Sequence, residues 1–309
     1  MSATVRHVPK LAQVPQDLRS DLDLSASQLA AVLDLAVHMK RTPARYSKAL
    51  AGRFLSLLFE KPSLRTRLTF ELAMKQLGGD TVTSMGTLGD REPVKDIARN
   101  LDRWTHGIVA RVFSQATIDE LAKWSAVPVI NALSDRYHPC QALADAQTLR
   151  EHFGRLEGRK LAFVGDGNNV AHSLMLTLTR LGMEVSIAVP EGYEPDSQVA
   201  AQAAEYGPIT IVHDAREAVS GADAVYTDVW TSMGQEEQSE ARQQAFAPFQ
   251  VNSALLTHAN PGALFMHCLP AKRGEEVTDE VMESPQCAAF DQAENRLHVQ
   301  KALLATLLG

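Results

Sequence analysis

Short apolar segments alternate with helical segments along most of this sequence, and no other feature restricts the possible folds as strongly. Strands are expected at Leu161–Val164, Val185–Val189, Ile209–Val212, Ala224–Trp230 and Ala263–Leu269. Each segment is short and apolar, and the stretches between them have the residue spacing or the polar composition of helices. Such alternation is typical of a parallel sheet that is covered by helices on both faces. The sequence therefore predicts an α/β fold.

The N-terminal half follows the same pattern. Its expected strands are Arg53–Glu60, Gly107–Phe113 and Val127–Leu133, and its expected helices are Ser63–Leu77 and Val94–Trp104. The chain has 309 residues, which is room for about two domains of the usual ~150 residues. We expect two doubly wound parallel-sheet lobes joined by interdomain helices. The expected bounds are residues 1–150, residues 151–290, and a C-terminal helix within 291–309 that packs back on the first lobe.

Two segments are expected to connect the lobes. The segment His138–Phe153 has apolar residues at helical spacing and no helix breaker, so we expect one helix that leads from the first lobe toward a boundary near Gly154–Gly158. Near the C-terminus, the strand-like segment Cys287–Phe290 precedes a helical pattern over Asn295–Leu308.

Charge and cysteine content limit the partners and the compartment. Lys and Arg total 30 against 37 Asp and Glu, a formal net charge of −7, so the chain has no general attraction to nucleic acid or anionic lipid. No apolar run approaches the ~18 residues that cross a bilayer, and the N-terminus lacks the apolar core of a secretory signal. Three cysteines without a Cys-x-x-Cys array favour a reducing compartment. We expect a cytoplasmic protein with neither nucleic-acid nor membrane partners.

The segment from Phe59 to Arg67 predicts an anion site. An apolar strand ends in a polar turn, and Ser63 stands where it would cap the following helix, so free backbone N–H groups and the positive helix end would converge there. The side chains of Arg65 and Thr66 add donors suited to a phosphate group. A capped helix with solvated arginines is the alternative interpretation.

A second polar motif begins at His138. Pro139 fits the first turn of a helix, and Gln141 follows His138 by three residues, so both side chains can lie on one side of the helix start. The pair offers a polarising imidazole and an amide that donates and accepts. A cap histidine and a surface glutamine are the alternative. His138 and Cys140 face different directions on a helix, so we expect no metal site here.

Two further strands end in polar loops. The segment Phe265–Leu269 ends at Pro270, so the thiol of Cys268 and the carbonyls of Cys268 and Leu269 should face the crevice at the carboxyl edge of a parallel sheet. The loop after the other strand carries Asp228 and Ser232, which could hold an ammonium group. An inert buried cysteine is the alternative for Cys268.

The turn at Gly165–Val170 resembles a dinucleotide fingerprint because it follows a strand and opens a helix. Val170 occupies the place of the third glycine, and Pro190 ends the next strand before an acidic residue. An NAD-dependent oxidoreductase is therefore a weak alternative. The asparagines at this helix start suit hydrogen bonding to a polar ligand instead.

Three of these motifs, in this order, resemble the successive signatures of the carbamoyltransferases. They are Ser63–Arg67, His138–Gln141 with Leu143 and Asp145, and His267–Pro270. The similarity extends from about Leu22 to Leu308. The loop from Asp228 to Gly234 is similar to the one that closes on the amino acid in the ornithine branch, whereas the aspartate-specific branch has a His-Pro-Gly-Pro-like third motif. The resemblance implies transfer from carbamoyl phosphate to ornithine without a metal or an organic cofactor.

The resemblance also implies a role for each matching residue. The implied ligands of the phosphate are Ser63, Leu64, Arg65, Thr66, Arg111 and Arg296. Those of the carbamoyl group are His138, Gln141 and the main-chain carbonyls of Cys268 and Leu269. Those of ornithine are Asn169, Asp228, Ser232, Met233 and Cys268. The implied catalytic residues are Arg65, Arg111, His138, Asp228 and Cys268, and the last two are the candidates to take a proton from the amine.

Two positions depart from the family pattern. Leu64 stands where the family usually has threonine, and a backbone N–H at this position does not depend on the side chain. Thr87 stands where many members have glutamine, on a loop that reaches the neighbouring subunit. The resemblance implies a homotrimer or an assembly of trimers. Putrescine or N-acetylornithine as the acceptor, and a noncatalytic binding protein of the same fold, remain alternatives.

Overall fold

The chain forms two compact units, and each is built on one parallel sheet. A computed structural model describes residues 15–231, 237 and 239–309. One unit consists of the described part of Met1–Gln147 together with Glu294–Gly309, and the other is Thr148–Ala293 apart from the residues that are not described. The two divisions fall inside helices, at residues 147/148 and 293/294. The expected α/β class with parallel sheets is confirmed.

The first unit has a four-stranded sheet. Its strands are β1 (Phe54–Phe59), β2 (Asp80–Met85), β3 (Ile108–Arg111) and β4 (Val129–Leu133), and its helices before the division are α1 (Ala26–Arg41), α2 (Leu64–Gln76), α3 (Val94–Trp104) and α4 (Gln115–Trp124). The strand order is β2-β1-β3-β4, with all pairs parallel. The chain therefore moves from β1 to one side and then returns to the other, and β1 and β3 flank the point of reversal.

The second unit has a five-stranded sheet. Its strands are β5 (Lys160–Val164), β6 (Glu184–Ala188), β7 (Ile209–Val212), β8 (Ala224–Thr227) and β9 (Leu264–His267). Its helices are α6 (Asn169–Thr179), α7 (Ser197–Ala204), α8 (Ala215–Val219), α9 (Ser239–Phe246), α10 (Ser253–Leu256) and α11 (Asp279–Met282). The order β7-β6-β5-β8-β9 is parallel throughout. Here β5 and β8 flank the point of reversal.

Two long helices carry the chain across the divisions. They are α5 (Pro139–Phe153) and α12 (Ala289–Leu308). Most of α12, from Glu294 onward, belongs to the first unit. The first unit is therefore built from two separate segments of the chain, one of which is the C-terminal end, whereas the second unit is one continuous segment.

Burial explains why the strands lie where they do. The central strands β3 and β8 are buried along their whole length, as is the edge strand β9, whereas the edge strands β2 and β7 are largely exposed. In the second unit, the fully buried rings of Phe163 and Tyr226 stack with their centroids 5.7 Å apart across β5 and β8. The central strands thus have the continuous apolar character from which a parallel sheet is expected.

The structure corrects three expected element bounds. The strand expected to reach Trp230 ends at Thr227. The segment Cys287–Phe290 is not a strand: Cys287 forms one isolated bridge with Phe265, and α12 begins at Ala289. Ala288 and Ala289 are buried but Phe290 is exposed, so the apolar run that suggested a strand is not buried along its whole length. The C-terminal helix begins six residues earlier than the expected Asn295.

The sequence analysis also missed β2, α1 and α4. Strand β2 has mostly exposed, polar residues, as an edge strand can, and so lacks the apolar run by which the others were found. Within the described parts of the chain, no helix is both long and apolar enough to span a membrane.

Candidate active site

The predicted site residues lie at, or next to, the point in each sheet where the order of the strands reverses. In an open parallel sheet, the loops that leave the carboxyl ends of neighbouring strands in opposite directions form a crevice there. In the first unit these loops follow β1 and β3, and in the second they follow β5 and β8. The predicted motifs at Ser63, Asn169 and Asp228 follow β1, β5 and β8, whereas those at His138 and Cys268 follow the neighbouring strands β4 and β9.

Helix α2 presents its N-terminus after β1. Ser63 caps the helix as expected, with its Oγ accepting a hydrogen bond from the N–H of Thr66 at 3.3 Å. The side chain of Leu64 is exposed, and therefore the leucine in place of the family's threonine does not disturb the packing of the helix start. Arg65 lies in the first turn, half-buried. The free N–H groups of this turn and its partial positive charge favour an anion.

Glu60 holds two loops beside this helix start, which the sequence analysis did not foresee. Its Oε1 accepts from the N–H of Leu88 at 2.9 Å, and its Oε2 accepts from the N–H of Phe113 at 2.6 Å. One carboxylate therefore connects the end of β1 to the loops that follow β2 and β3. An acidic residue next to a predicted anion site is explained by this structural role.

Arg296 connects the three polar segments of the first unit. Its guanidinium donates from Nη1 to Oε1 of Gln141 at 2.6 Å and from Nη2 to Oγ1 of Thr66 at 3.0 Å. Gln141 in turn donates from Nε2 to Oδ1 of Asp145 at 2.8 Å. All four side chains are buried. The segments that carry Thr66, Gln141 and Arg296 therefore meet, as expected if they bind the same substrate.

His138 lies beside this group, immediately before α5. Its carbonyl accepts from the N–H groups of Gln141 and Ala142 at 2.9 and 3.2 Å, so it caps the helix through its backbone. The imidazole is buried, and burial lowers its pKa well below the ordinary value, with further lowering by the charges of Arg296 and Arg111. A neutral imidazole can donate one hydrogen bond to a carbonyl oxygen without adding a third charge.

The first-unit cluster is suited to an anionic ligand. Arg111 ends β3, is buried, and lies near enough to His138 to affect its pKa. Two buried guanidinium groups thus lie close to His138, and one of them, that of Arg296, also bonds to Thr66 at the start of α2. Among the predicted phosphate ligands, Thr66 accepts a hydrogen bond from Arg296, and Ser63 accepts one from the α2 backbone.

In the second unit, Asp228 and Cys268 meet at the ends of β8 and β9. The thiol of Cys268 donates to Oδ1 of Asp228 at 3.0 Å, and Nδ2 of Asn168 donates to Oδ2 of Asp228 at 2.9 Å. Asn168 also caps α6, because its Oδ1 accepts from the N–H groups of Val170 and Ala171. Asn169, which the resemblance assigns to ornithine, is the first residue of α6, whereas its neighbour Asn168 makes the contact with Asp228.

The loop after β9 is held by His267 and Glu276. Nδ1 of His267 accepts from the N–H of Leu269 at 2.8 Å, so Nε2 carries the proton and donates to Oε1 of Glu276 at 3.2 Å. Leu269 has φ = 58°, a left-handed conformation that costs a leucine about 1–2 kcal/mol. The two hydrogen bonds of His267 thus stabilise a backbone conformation that is unfavourable for leucine.

Donor atoms of Asp228, His267 and Cys268 lie within 4.8 Å of one another, which is a grouping of metal-ligand type. Both ring nitrogens of His267 already have hydrogen-bond partners. A metal ion would have to break one of these bonds and release the Leu269 loop. The chemistry of this group therefore fits hydrogen bonding better than metal binding.

A buried ion pair supports the loops after β5 and β8. Arg242 of α9 pairs with the carboxylate of Asp166, and its Nε donates to the carbonyl of Trp230 at 2.5 Å. Its guanidinium also lies over the rings of Tyr193 and Phe246. Burial raises the pKa of Asp166 to about 6, and the charge of Arg242 opposes this rise.

The predicted ornithine ligands Ser232 and Met233 lie outside the described residues. The glycines that suggested a dinucleotide site have a structural explanation. A Cβ on Gly167 would lie 2.3 Å from the backbone nitrogen of Pro195, so this position requires glycine for close packing of the chain. No nucleotide is needed to explain the turn.

Comparisons with known proteins agree over both units. The profile of the aspartate/ornithine carbamoyltransferase carbamoyl-P binding domain matches residues 16–151, and that of the Asp/Orn binding domain matches residues 157–307. The ornithine carbamoyltransferase of Thermococcus kodakarensis is 50% identical over 297 residues, which cover 93% of this chain and 94% of the relative.

Solved structures give the same result. The ornithine carbamoyltransferase of Pyrococcus furiosus superposes with a TM-score of 0.93 at 48% identity, covering 97% of this chain and 99% of that one. An acetylornithine transcarbamylase complexed with acetylcitrulline is more distant, with a TM-score of 0.85 and 35% identity over 94% of this chain and 98% of that one.

We expect the imidazole of His138 to remain neutral at pH values where an ordinary histidine, with a pKa of about 6.5, is half protonated. Burial and the charges of Arg296 and Arg111 cause the difference. Nitrogen-15 NMR of the imidazole, assigned with the variant His138→Asn, measures this directly. Arg296→Met removes one repelling charge and should raise the pKa. Half-protonation of the wild-type ring near pH 6.5 would contradict the assignment.

The Asp166–Arg242 pair should have a large effect on stability. Arg242→Met leaves a buried carboxylate without its partner and should lower the free energy of unfolding by about 3–5 kcal/mol at pH 8. The loss should be smaller below about pH 6, where Asp166 takes up a proton. Adding Asp166→Asn should restore part of the stability.

Urea denaturation followed by circular dichroism measures these changes, and Arg155→Met, at an exposed ion pair with Glu157, is the control. An equal loss in the single and double variants would show that the two charges are not coupled.

Proposed function

This chain belongs to the aspartate/ornithine carbamoyltransferase family, and we propose that it transfers the carbamoyl group of carbamoyl phosphate to the side-chain amine of L-ornithine. The products are L-citrulline and phosphate. The observation that carries the proposal is the buried guanidinium of Arg296, which joins Thr66 at the N-terminus of α2 to Gln141 beside His138. A phosphate-binding helix end and groups suited to a carbamoyl group thus lie in one hydrogen-bonded cluster.

We assign the first unit to the phosphorylated substrate. The phosphate would accept hydrogen bonds at the start of α2, from Ser63, Thr66 and the backbone N–H of Leu64, with charge from Arg65, Arg111 and Arg296. The carbonyl oxygen of the carbamoyl group would face the neutral imidazole of His138, and Gln141 would face the carbamoyl amide. This division of roles uses the positive groups where the substrate is negative.

We assign the amino acid to the second unit. The carboxylate of Asp228 is a counter-charge for an ammonium group, and Asn168 and Cys268 hold it in place through hydrogen bonds of 2.9 and 3.0 Å. Asn169 at the start of α6, with Ser232 and Met233, completes the proposed set. In our account, the main-chain carbonyls of Cys268 and Leu269 accept from the carbamoyl amide.

The proposed chemical step is attack of a neutral amine on the carbamoyl carbon. A C–N bond forms, the C–O bond to phosphate breaks, and the amine loses one proton. A primary ammonium has a pKa of about 10.4, so the site has to favour the neutral amine or accept its proton, and Asp228 and Cys268 are the candidates. Negative charge that develops on the carbonyl oxygen would be stabilised by His138, Arg65 and Arg111.

Two other acceptors differ from ornithine at its α-carbon. Putrescine lacks the α-carboxylate but keeps a second ammonium group, so the carboxylate of Asp228 does not discriminate against it. N-acetylornithine has a neutral amide in place of the α-ammonium group, which would leave the charge of Asp228 uncompensated. A noncatalytic protein of this fold would bind carbamoyl phosphate but release no phosphate when an amine is added.

We propose further that the enzyme is a cytoplasmic homotrimer or an assembly of trimers. Cys140, Cys268 and Cys287, all within the described residues, form no disulfide, which supports a reducing compartment. The first unit exposes large apolar side chains, those of Leu64, Leu68 and Leu72 on α2 and those of Val82 and Met85 on the edge strand β2. The three leucines are spaced by four residues and share one helix face. Such side chains suit contact with a second copy of the chain.

Phosphate release should depend on Arg65. Arg65→Met removes a donor from the proposed phosphate site and should lower kcat by about 100–1,000-fold, which is about 3–4 kcal/mol of barrier. Arg99→Met, at an exposed arginine paired with Asp96, is the matched control and should retain activity. The assay uses carbamoyl phosphate with ornithine, acetylornithine, putrescine, lysine and aspartate in parallel. Full activity of Arg65→Met would refute the phosphate assignment, and a preference for another amine would refute the acceptor.

The exposed apolar side chains of α2 and β2 provide the test of assembly. Leu72→Lys combined with Val82→Lys places charges on α2 and β2 and should dissociate the oligomer into monomers of 33.7 kDa. Tyr206→Lys, at an exposed aromatic residue in the second unit, should leave the assembly unchanged. Sedimentation velocity measures both. A monomeric wild-type protein, or a double variant that remains a trimer, would contradict the proposal.

A further inference from the structure

The first unit contains a second cationic site with no part in the proposed reaction. A cavity of about 540 Å³ lies between the end of α1, the turn that follows it, the end of α2 and one face of α12. Its walls include Met39, Pro43, Tyr46 and Leu297, and its polar side chains include Lys40 and Lys301. The cavity is thus mostly apolar, with two ammonium groups.

Lys301 is the more unusual of the two lysines because only 2% of it is exposed. Its Nζ donates to Oε1 of Gln76 at 3.0 Å. Burial lowers the pKa of Lys301, which indicates that its charged form lacks the stabilisation it would have in water. A neutral amide oxygen compensates a buried ammonium only in part, whereas an anionic ligand would compensate its charge.

The remaining charged groups at the cavity determine how much negative charge it can accept. Lys40 donates to Oδ1 of Asn295 at 2.9 Å and pairs with Glu294 at 3.4 Å. Nε2 of His298 lies 3.5 Å from the same carboxylate, and burial, with the charges of Lys301 and Lys40, lowers the pKa of the ring, which favours its neutral form. Two ammonium groups and one carboxylate leave one net positive charge, which matches a monoanion.

We propose that this cavity binds a small organic monocarboxylate, with the carboxylate on Lys301 and Lys40 and the apolar body against Met39, Pro43 and Leu297. The walls favour a ligand with a hydrocarbon part, because burying carbon surface contributes free energy that a bare inorganic ion cannot supply. A phosphate dianion would exceed the available charge and would leave the apolar walls in contact with water. The ligand class is thus defined by both charge and surface.

The site is distinct from the proposed phosphate site although both use α12. Arg296 bonds to Thr66 and Gln141, whereas its neighbours Glu294, Leu297 and His298 line the cavity. Helix positions 296 and 298 are separated by about 200° around the axis, so they lie on different sides of the helix. Occupation of the cavity therefore does not require displacement of the Arg296 contacts.

The test is calorimetric titration of the full-length protein, without substrates, with hexanoate, hexanamide and inorganic phosphate. Hexanoate should bind saturably with one site per chain, and hexanamide, which has the same shape without the charge, should bind at least about tenfold more weakly. Phosphate should not displace hexanoate. Because no turnover is measured, the result is independent of the proposed function.

Variants locate the binding. Lys301→Met replaces a buried charge by an apolar side chain of similar length and should preserve folding, as checked by thermal melting, while weakening hexanoate about tenfold or more. Lys40→Met should also weaken hexanoate binding. If Lys301→Met fails to fold, the affinity of Lys40→Met for hexanoate is the test of the site. Lys123→Met, at an exposed lysine over the ring of Trp124, and Arg65→Met should bind as the wild type does.

Absence of saturable hexanoate binding would overturn the proposal. So would equal binding of hexanamide, displacement by phosphate, loss of binding in Arg65→Met, or unchanged affinity in folded variants that lack Lys301 or Lys40.

Discussion

The guanidinium of Arg296 is the group on which the organisation of the first unit depends. A buried guanidinium is stable only when its N–H groups find acceptors, because desolvation of an unpaired charge costs several kcal/mol. Its acceptors are Oε1 of Gln141 and Oγ1 of Thr66, from two helices that begin at the ends of different strands. The C-terminal helix therefore determines how the starts of α2 and α5 face each other, and with them the groups that we assign to phosphate and carbamoyl binding.

The second unit uses backbone geometry and a carboxylate for the same purpose. Parallel strands bring the ends of β5, β8 and β9 to one edge of the sheet. There Asp228 accepts from Asn168 and Cys268, while His267 and Glu276 support the left-handed Leu269. Contacts among neighbouring strand ends thus hold the carboxylate of Asp228, which is the group that we assign to the ammonium of the substrate.

Local signals in the sequence were sufficient for many elements and for much of the candidate site. The bounds of α3 and β7 agree with the expected Val94–Trp104 pattern and Ile209–Val212 run, because helical spacing of apolar residues marks the first and a run of β-branched residues marks the second. Ser63 was recognisable as a cap from its position between a strand and a helix. The meeting of Thr66, Gln141 and Arg296 came only from the family resemblance, since their separations of up to 230 residues leave no local signal.

Contacts that sequence alone could not reveal are those with backbone groups or with distant partners. Glu60 binds two backbone N–H groups, and any sequence supplies such groups. Asn168 and Asn169 are chemically identical neighbours, and only the direction of the chain at the start of α6 decides which one reaches Asp228. Arg242 appeared as an ordinary residue of a polar helix, although it is buried against Asp166. The strand expected at Cys287–Phe290 was wrong because an apolar run does not reveal whether it is buried, and Phe290 is exposed.

The most direct test of the central claim is a crystal structure of the protein with acetyl phosphate, an acyl phosphate that cannot donate a carbamoyl group. The account predicts the phosphoryl group at the N-terminus of α2, within hydrogen-bond distance of Ser63 and Thr66, with its charge facing Arg65 and Arg111. It also predicts that the acyl oxygen faces His138. A phosphoryl group bound elsewhere on the chain, or an acyl phosphate whose carbonyl is remote from His138, would contradict it.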